Sequence, residues 1–73
     1  MNADLFKANM YKNGMVGREV ADLLGIAQTT LSNKINGKLN SRGNKSEFTQ
    51  SEITSLKNVW GLSDKDVVDI FFN

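Results

Sequence analysis

Cysteine, histidine and proline are all missing from this chain of 73 residues, and each absence removes a class of explanation. Without cysteine no disulfide can staple a small domain, and without cysteine or histidine the usual zinc sites have no ligands. A nucleophile–base pair would have to be made from lysines and carboxylates, but the acids are scattered rather than paired beside apolar stretches, which argues against an enzyme. No loop has the Gly-x-x-x-x-Gly-Lys-Ser/Thr spacing that cradles phosphates, so no nucleotide cofactor is implied. No apolar run approaches the roughly 18 residues that cross a bilayer, and the N-terminus lacks a basic segment followed by a hydrophobic one. The expectation is a single cytoplasmic domain over 1–73 with no membrane partner, no cofactor and no evident small-molecule effector. At this size a hydrophobic core barely suffices, so stability has to come from helix packing, with self-association as a further source open to it.

Net charge is also scarce, at +1, yet its distribution is uneven. Between residues 23 and 46 there is no acid, and Lys34, Lys38, Arg42 and Lys45 supply four positive charges. From Glu47 onward five acids face only Lys57 and Lys65. The middle of the chain suits a polyanion and the tail does not. Basic stretches also serve solubility alone, so the charge pattern needs a structural motif beside it.

Strand-like alternation and internal repeats are absent, and the apolar spacing predicts five helices. The first covers Ala3 to Lys12, with Leu5, Phe6, Met10 and Tyr11 on its apolar side and Asn13-Gly14 ending it. Gly14-x-x-Gly17 has the spacing of an RNA-backbone loop of the KH kind, but that module needs flanking strands, so a helix-ending glycine is the better account. Two short helices follow, near Arg18 to Leu24 and Gln28 to Asn36. Leu39 to Glu47 reads as a loop rich in Asn, Ser and Gly. Thr49 and Glu52 then form a capping box with Phe48 and Ile53 as its staple, opening a helix whose inner face is Ile53, Leu56 and Trp60. Gly61 ends it. Ser63 with Asp66 repeats the box, Leu62 with Val67 repeats the staple, and a last helix runs to Phe72.

The segment from Gly17 to Lys38 carries the internal geometry of a helix-turn-helix. Ala21, Leu24, Leu31 and Ile35 fall at helical intervals on two short segments, and Gly25, four residues past Ala21, stands where the chain must turn. A small residue at 21 permits a close helix crossing, Ile26 can plug the angle, and Asn36-Gly37 suits the end of the second helix. Ala21, Gly25, Leu31 and Asn36-Gly37-Lys38 together resemble the motif of the Cro/CI-like phage repressors of the xenobiotic-response-element type. The stretch from Phe48 to Phe72 is similar to the closing helices of short repressors from phages of Gram-positive bacteria. Val16 and Gly17 depart from the family's usual Thr or Ser cap and first-position Gln. Ala27 stands where a Ser or Thr is usual, and the loop after Lys38 is longer than in typical members.

The resemblance implies an all-α, five-helix, lambda-repressor-like domain with a central helix-turn-helix, acting on double-stranded operator DNA in a bacterial host cell. On the second motif helix, Leu31 and Ile35 define a buried side. Thr29, Thr30, Asn33 and Asn36 lie roughly opposite, and Gln28 projects from the N-terminal end. This face is polar but uncharged, which suits the donor and acceptor pattern of base edges, although polar residues also coat ordinary exposed helices. By resemblance, Gln28, Thr29 and Asn33 occupy the base-contacting positions. Arg18, Thr30, Lys34, Lys38, Asn40, Arg42 and Lys45 are expected to reach phosphates, which fix register rather than sequence. Arg42 also suits a narrow minor groove.

The chain closes one residue after its last expected helix, as a complete Cro-like protein would. On that helix Val67, Ile70 and Phe71 make an inner side, while Val68 and Phe72 widen the apolar arc to about 200°, more than a helix on a small core needs. A homodimer interface through Val68 and Phe72 is one expectation; Phe72 folding back over Trp60 in a monomer is the other. The competing functional reading is an interaction module or antirepressor that keeps the helix-turn-helix as a scaffold and works through Trp60, Phe71 and Phe72.

Overall fold

The computed structural model describes residues 1–37 and 47–72. Among them the secondary structure is entirely helical: α1 (Ala3–Lys12), α2 (Gly17–Leu24), α3 (Gln28–Asn36), α4 (Gln50–Trp60) and α5 (Asp64–Phe71). The all-α, five-helix expectation therefore holds, with two boundary changes. Helix α2 begins one residue earlier than the pattern indicated, and α5 ends at Phe71, leaving Phe72 as its C-cap.

Side chains immediately outside the helices explain where most of them start. Asn2 accepts from the Leu5 N–H at 3.0 Å and caps α1, a signal present in the sequence as an Asn before the first apolar residue. Both predicted boxes form. The Thr49 hydroxyl accepts from the Glu52 N–H at 3.2 Å while Glu52 Oε1 accepts from the Thr49 N–H at 2.8 Å. Ser63 and Asp66 exchange the equivalent bonds at 3.1 Å each. Val16 has no side-chain acceptor to offer α2, but Glu19 still reaches back to the Val16 N–H at 3.1 Å, so half of a box survives there. Replacing Thr49 with alanine is expected to lower stability by about 0.5–2 kcal/mol in a thermal melt. An unchanged melt would mean that the Thr49 hydroxyl does not cap α4.

The core is organised around Phe6, which is completely buried. Its ring lies 5.3 Å from Phe48, 5.1 Å from Trp60 and 6.1 Å from Phe71, and Phe48 and Phe71 are themselves 5.4 Å apart. Four segments distant in sequence thus meet in one aromatic cluster, and offset or edge-on ring contacts of this kind add to simple area burial. Phe48 consequently does more than staple α4: its ring stacks on Phe6 of α1. Trp60 is closed off further by its indole N–H, which donates to the Met15 sulfur at 3.3 Å. The Asn2 N–H donates to the Ile70 carbonyl at 2.8 Å, fastening the start of the chain to α5. Tyr11, placed on the apolar side of α1 by periodicity, is instead 64% exposed. The helix has enough contact with the core through Phe6 and Met10, and the phenol faces solvent beside α3.

Candidate nucleic-acid interface

Helices α2 and α3 make a sharp corner whose construction follows from three residues. Ala21 is buried at the crossing, where a larger side chain would hold the helices apart. Gly25 adopts φ 69° and ψ 32°, the left-handed region in which a Cβ clashes with the backbone. The Ile26 N–H then returns to the Ala21 carbonyl at 3.0 Å, so the end of α2 is closed by the bond pattern that follows a left-handed residue. Ile26 itself is half-buried against the core.

Leu31 and Ile35 anchor α3 by its inner face. Gln28, Thr29 and Thr30 are exposed together in its first turn, and Asn33 is half-buried one turn later. Asn36 is exposed and donates to the Ser32 hydroxyl at 3.3 Å. Because Ala27 provides no side-chain cap, the first-turn N–H groups of α3 stand beside Gln28, Thr29 and Thr30 without a capping acceptor. The outward face of α3 therefore offers amide, hydroxyl and backbone donors with no fixed charge. Arg18 is exposed at the first turn of α2. Lys38, Asn40, Arg42 and Lys45 lie outside the described residues.

Among the described residues, Lys34 is an expected phosphate contact that the geometry assigns elsewhere. Its ammonium donates to the Glu47 carbonyl at 2.8 Å and to Glu52 Oε1 at 3.1 Å, and it sits 5.9 Å from the centre of the Phe48 ring. The two charged side chains are only 13% and 11% exposed, so this ion pair is a strut between α3 and α4 rather than a surface cation. Burial pushes the Glu52 carboxyl up, but the Thr49 backbone N–H and the Lys34 ammonium together outweigh it and hold the group below its usual range. A folded-state value below the unfolded one means that Glu52 contributes stability above the ordinary carboxylate range. That contribution is lost as pH falls through the depressed value. Sequence position alone could not separate Lys34 from its basic neighbours, because the separating partner is eighteen residues away.

Two further expectations are decided by burial. Trp60 is only 6% exposed and Phe71 is half-buried in the aromatic cluster, so neither offers the free surface that an interaction module working through them would need. Phe72 does not fold back over Trp60; it is 65% exposed, and Val68 is 53% exposed, on the outer side of α5. Among the described residues no helix is long and apolar enough to cross a membrane.

Lys7 and Tyr11 are not among the residues that the sequence placed at this face. They stand one helical turn apart on α1 and border a groove whose other side includes Gln28, Ser32 and Asn36 of α3. Their i, i+4 spacing beside the buried Phe6 and Met10 was the available signal, but which helix they would face depended on packing. Compared with known proteins, the chain matches no family model, no curated protein and no solved structure.

Proposed function

We propose that this chain is a sequence-specific double-stranded-DNA-binding transcriptional regulator of the Cro/CI-like type. In this reading it is encoded by a phage or prophage, works in the cytoplasm of the bacterial host, and represses by occupying an operator that overlaps a promoter. The observation that carries the reading is the α2–α3 corner, which buries Leu31 and Ile35 while leaving Gln28, Thr29 and Thr30 exposed on one end of α3. A helix anchored on one side and polar on the other is what the major groove admits, and its N-terminal residues are the ones that reach base edges. Gln28, Thr29 and Asn33 are the proposed readers. Arg18 and Thr30 are proposed to contact phosphates, with Lys38, Asn40, Arg42 and Lys45 following them in sequence.

An operator can be obtained by selecting from a random duplex library. On it, Gln28→Ala is expected to cost about 1–3 kcal/mol while binding to an unrelated duplex stays nearly unchanged, since an amide discriminates only where its base is present. Equal losses on both duplexes would assign Gln28 to the backbone. Failure of the wild-type chain to enrich any sequence would reject specific DNA recognition.

A homodimer on DNA is part of the same proposal. Val68 of α5 and Phe72 at its C-cap are uncovered apolar side chains, and a two-fold dimer would cover them while spacing two recognition helices by about one turn of the duplex. Sedimentation with a two-half-site duplex is expected to show two wild-type chains per duplex, and one chain or weaker pairing for Val68→Asp/Phe72→Asp. A saturated wild-type complex holding a single chain would exclude the dimer.

A further inference from the structure

We propose that Met15 is a site of reversible oxidation by peroxide, and that its sulfoxide breaks the contact with Trp60 and loosens the joint between α1 and α2. The oxidation is independent of the DNA-binding reading above; its effect on DNA affinity rests on that reading.

Position separates Met15 from the other two methionines of the chain. Met10 is only 5% exposed in the core, and Met1 lies exposed at the start of the chain, where an added oxygen meets water. Met15 is half-buried, packed against the core from its edge. A small oxidant reaches a thioether at such a place, and the product changes a contact that the fold uses.

That contact joins distant elements. Gly14 adopts φ 68° and the Met15 N–H returns to the Met10 carbonyl at 3.1 Å, closing α1 by the left-handed pattern. Met15 therefore stands between the Gly14 turn and Val16, the N-cap of α2. Its sulfur accepts from the indole N–H of Trp60, the last residue of α4, at 3.3 Å. Trp60 in turn meets Phe6 edge-on at 5.1 Å. One sulfur thus ties the entry to the α2–α3 corner to α4 and to the aromatic cluster.

In the reaction a sulfur lone pair attacks one oxygen of hydrogen peroxide. The S–O bond forms, the O–O bond breaks, and the departing hydroxide takes the proton of the transferred oxygen and leaves as water. Sulfur is oxidised by two electrons and the peroxide is reduced by the same two. An apolar side chain becomes polar. An N–H···O bond by itself needs about 2.9 Å, so an oxygen on the sulfur cannot be interposed within the 3.3 Å that separates sulfur from indole nitrogen. Turned toward water, the oxygen draws Met15 away from Trp60; turned inward, it pushes Trp60 from its place beside Phe6. Both outcomes weaken the joint.

The test treats the full chain with hydrogen peroxide, locates added oxygen by peptide mass spectrometry, and reads the emission of Trp60, the only tryptophan. Met1 and Met15 are expected to gain one oxygen each before Met10 does. The emission shift is expected to follow the Met15 sulfoxide rather than that of Met1, and methionine sulfoxide reductase to reverse it. The melting temperature of the oxidised chain is expected to fall by about 4–8 °C, the shift that loss of one modest contact produces in a domain of this size. Met15→Leu, an apolar replacement of similar volume, is expected to keep its emission and melting temperature in peroxide although Met1 is still oxidised. The reductase-restored wild type supplies the same comparison within one sequence, whatever the stability of the variant. An intact Met15 where Met1 is fully oxidised, or a Met15 sulfoxide with unchanged emission and melting, would overturn the proposal. On a selected duplex, oxidised wild type is expected to bind more weakly than reduced, and Met15→Leu to bind equally in both conditions. Equal binding by oxidised and reduced wild type would overturn the link from Met15 to the corner. A reduced chain that binds no duplex would overturn the DNA-binding reading and leave the oxidation of Met15 to be judged by emission and melting.

Discussion

Truncating Phe6 to alanine is expected to destabilise the protein by about 3–5 kcal/mol, the range for removing a buried phenylalanine and leaving a cavity. A domain of this length has a total stability of only about 4–11 kcal/mol, so the variant would sit at or near the unfolding threshold. The upper part of the range is expected because Phe6 is completely buried and its ring touches Phe48, Trp60 and Phe71, which belong to different segments. Those segments are separately fixed by the capping boxes and by the Lys34–Glu52 pair, so they cannot all move inward to fill the space. Urea titration of Phe6→Ala against Val59→Ala makes the measurement. Val59 is half exposed on α4, and its truncation is expected to change stability by less than about 0.5 kcal/mol. A Phe6→Ala cost below about 1 kcal/mol would show that the aromatic cluster is not the centre of the fold.

Affinity for operator DNA is expected to fall by about 10³- to 10⁵-fold between 50 and 200 mM salt, if a dimer makes six to ten phosphate contacts. The structure changes which residues should carry that slope. Before folding is considered, Lys34 is one of four equivalent cations in an acid-free stretch. In the folded chain its ammonium is engaged by Glu47 and Glu52, so Lys34→Gln is expected to leave the salt slope of the folded protein unchanged. Its cost appears in stability, because Glu52 loses the cation that helps hold it ionised. Lys38→Gln and Arg42→Gln are each expected to reduce the slope by about 0.9. A flat response of wild-type affinity to salt would remove the basic stretch from the docking surface. A slope reduced by Lys34→Gln would show that its ammonium leaves Glu52 to reach DNA.

Helix ends were the most legible part of the fold because they are local. A cap joins residues three apart, and a left-handed residue is chosen by its own missing Cβ; Thr49 with Glu52, Ser63 with Asp66, and Gly25 can therefore be recognised without knowing the tertiary structure. The inward-facing residues of α3 and α4 were legible for a related reason, since a 3.6-residue period separates Leu31 and Ile35, or Ile53, Leu56 and Trp60, from their neighbours. Tyr11 and Asn2 mark the limit of such reasoning at the first helix. An apolar body does not say whether its ring is needed by the core, and a single Asn before a helix competes with many other uses of that residue.

For the candidate site, the sequence by itself determined the α2–α3 corner, the buried side of α3 and the uncharged polar residues on its outer face, because spacing along one or two helices is enough to define them. Only the tertiary structure decided which charges and apolar groups remain available to a partner. It engaged Lys34 with Glu52, closed Trp60 under Phe6 and Met15, left Val68 and Phe72 uncovered, and set Lys7 and Tyr11 beside Gln28. Each of these outcomes depends on how one helix lies against another. A charge is spent or free according to what packing brings within a few ångströms of it, and local sequence carries no record of that neighbour.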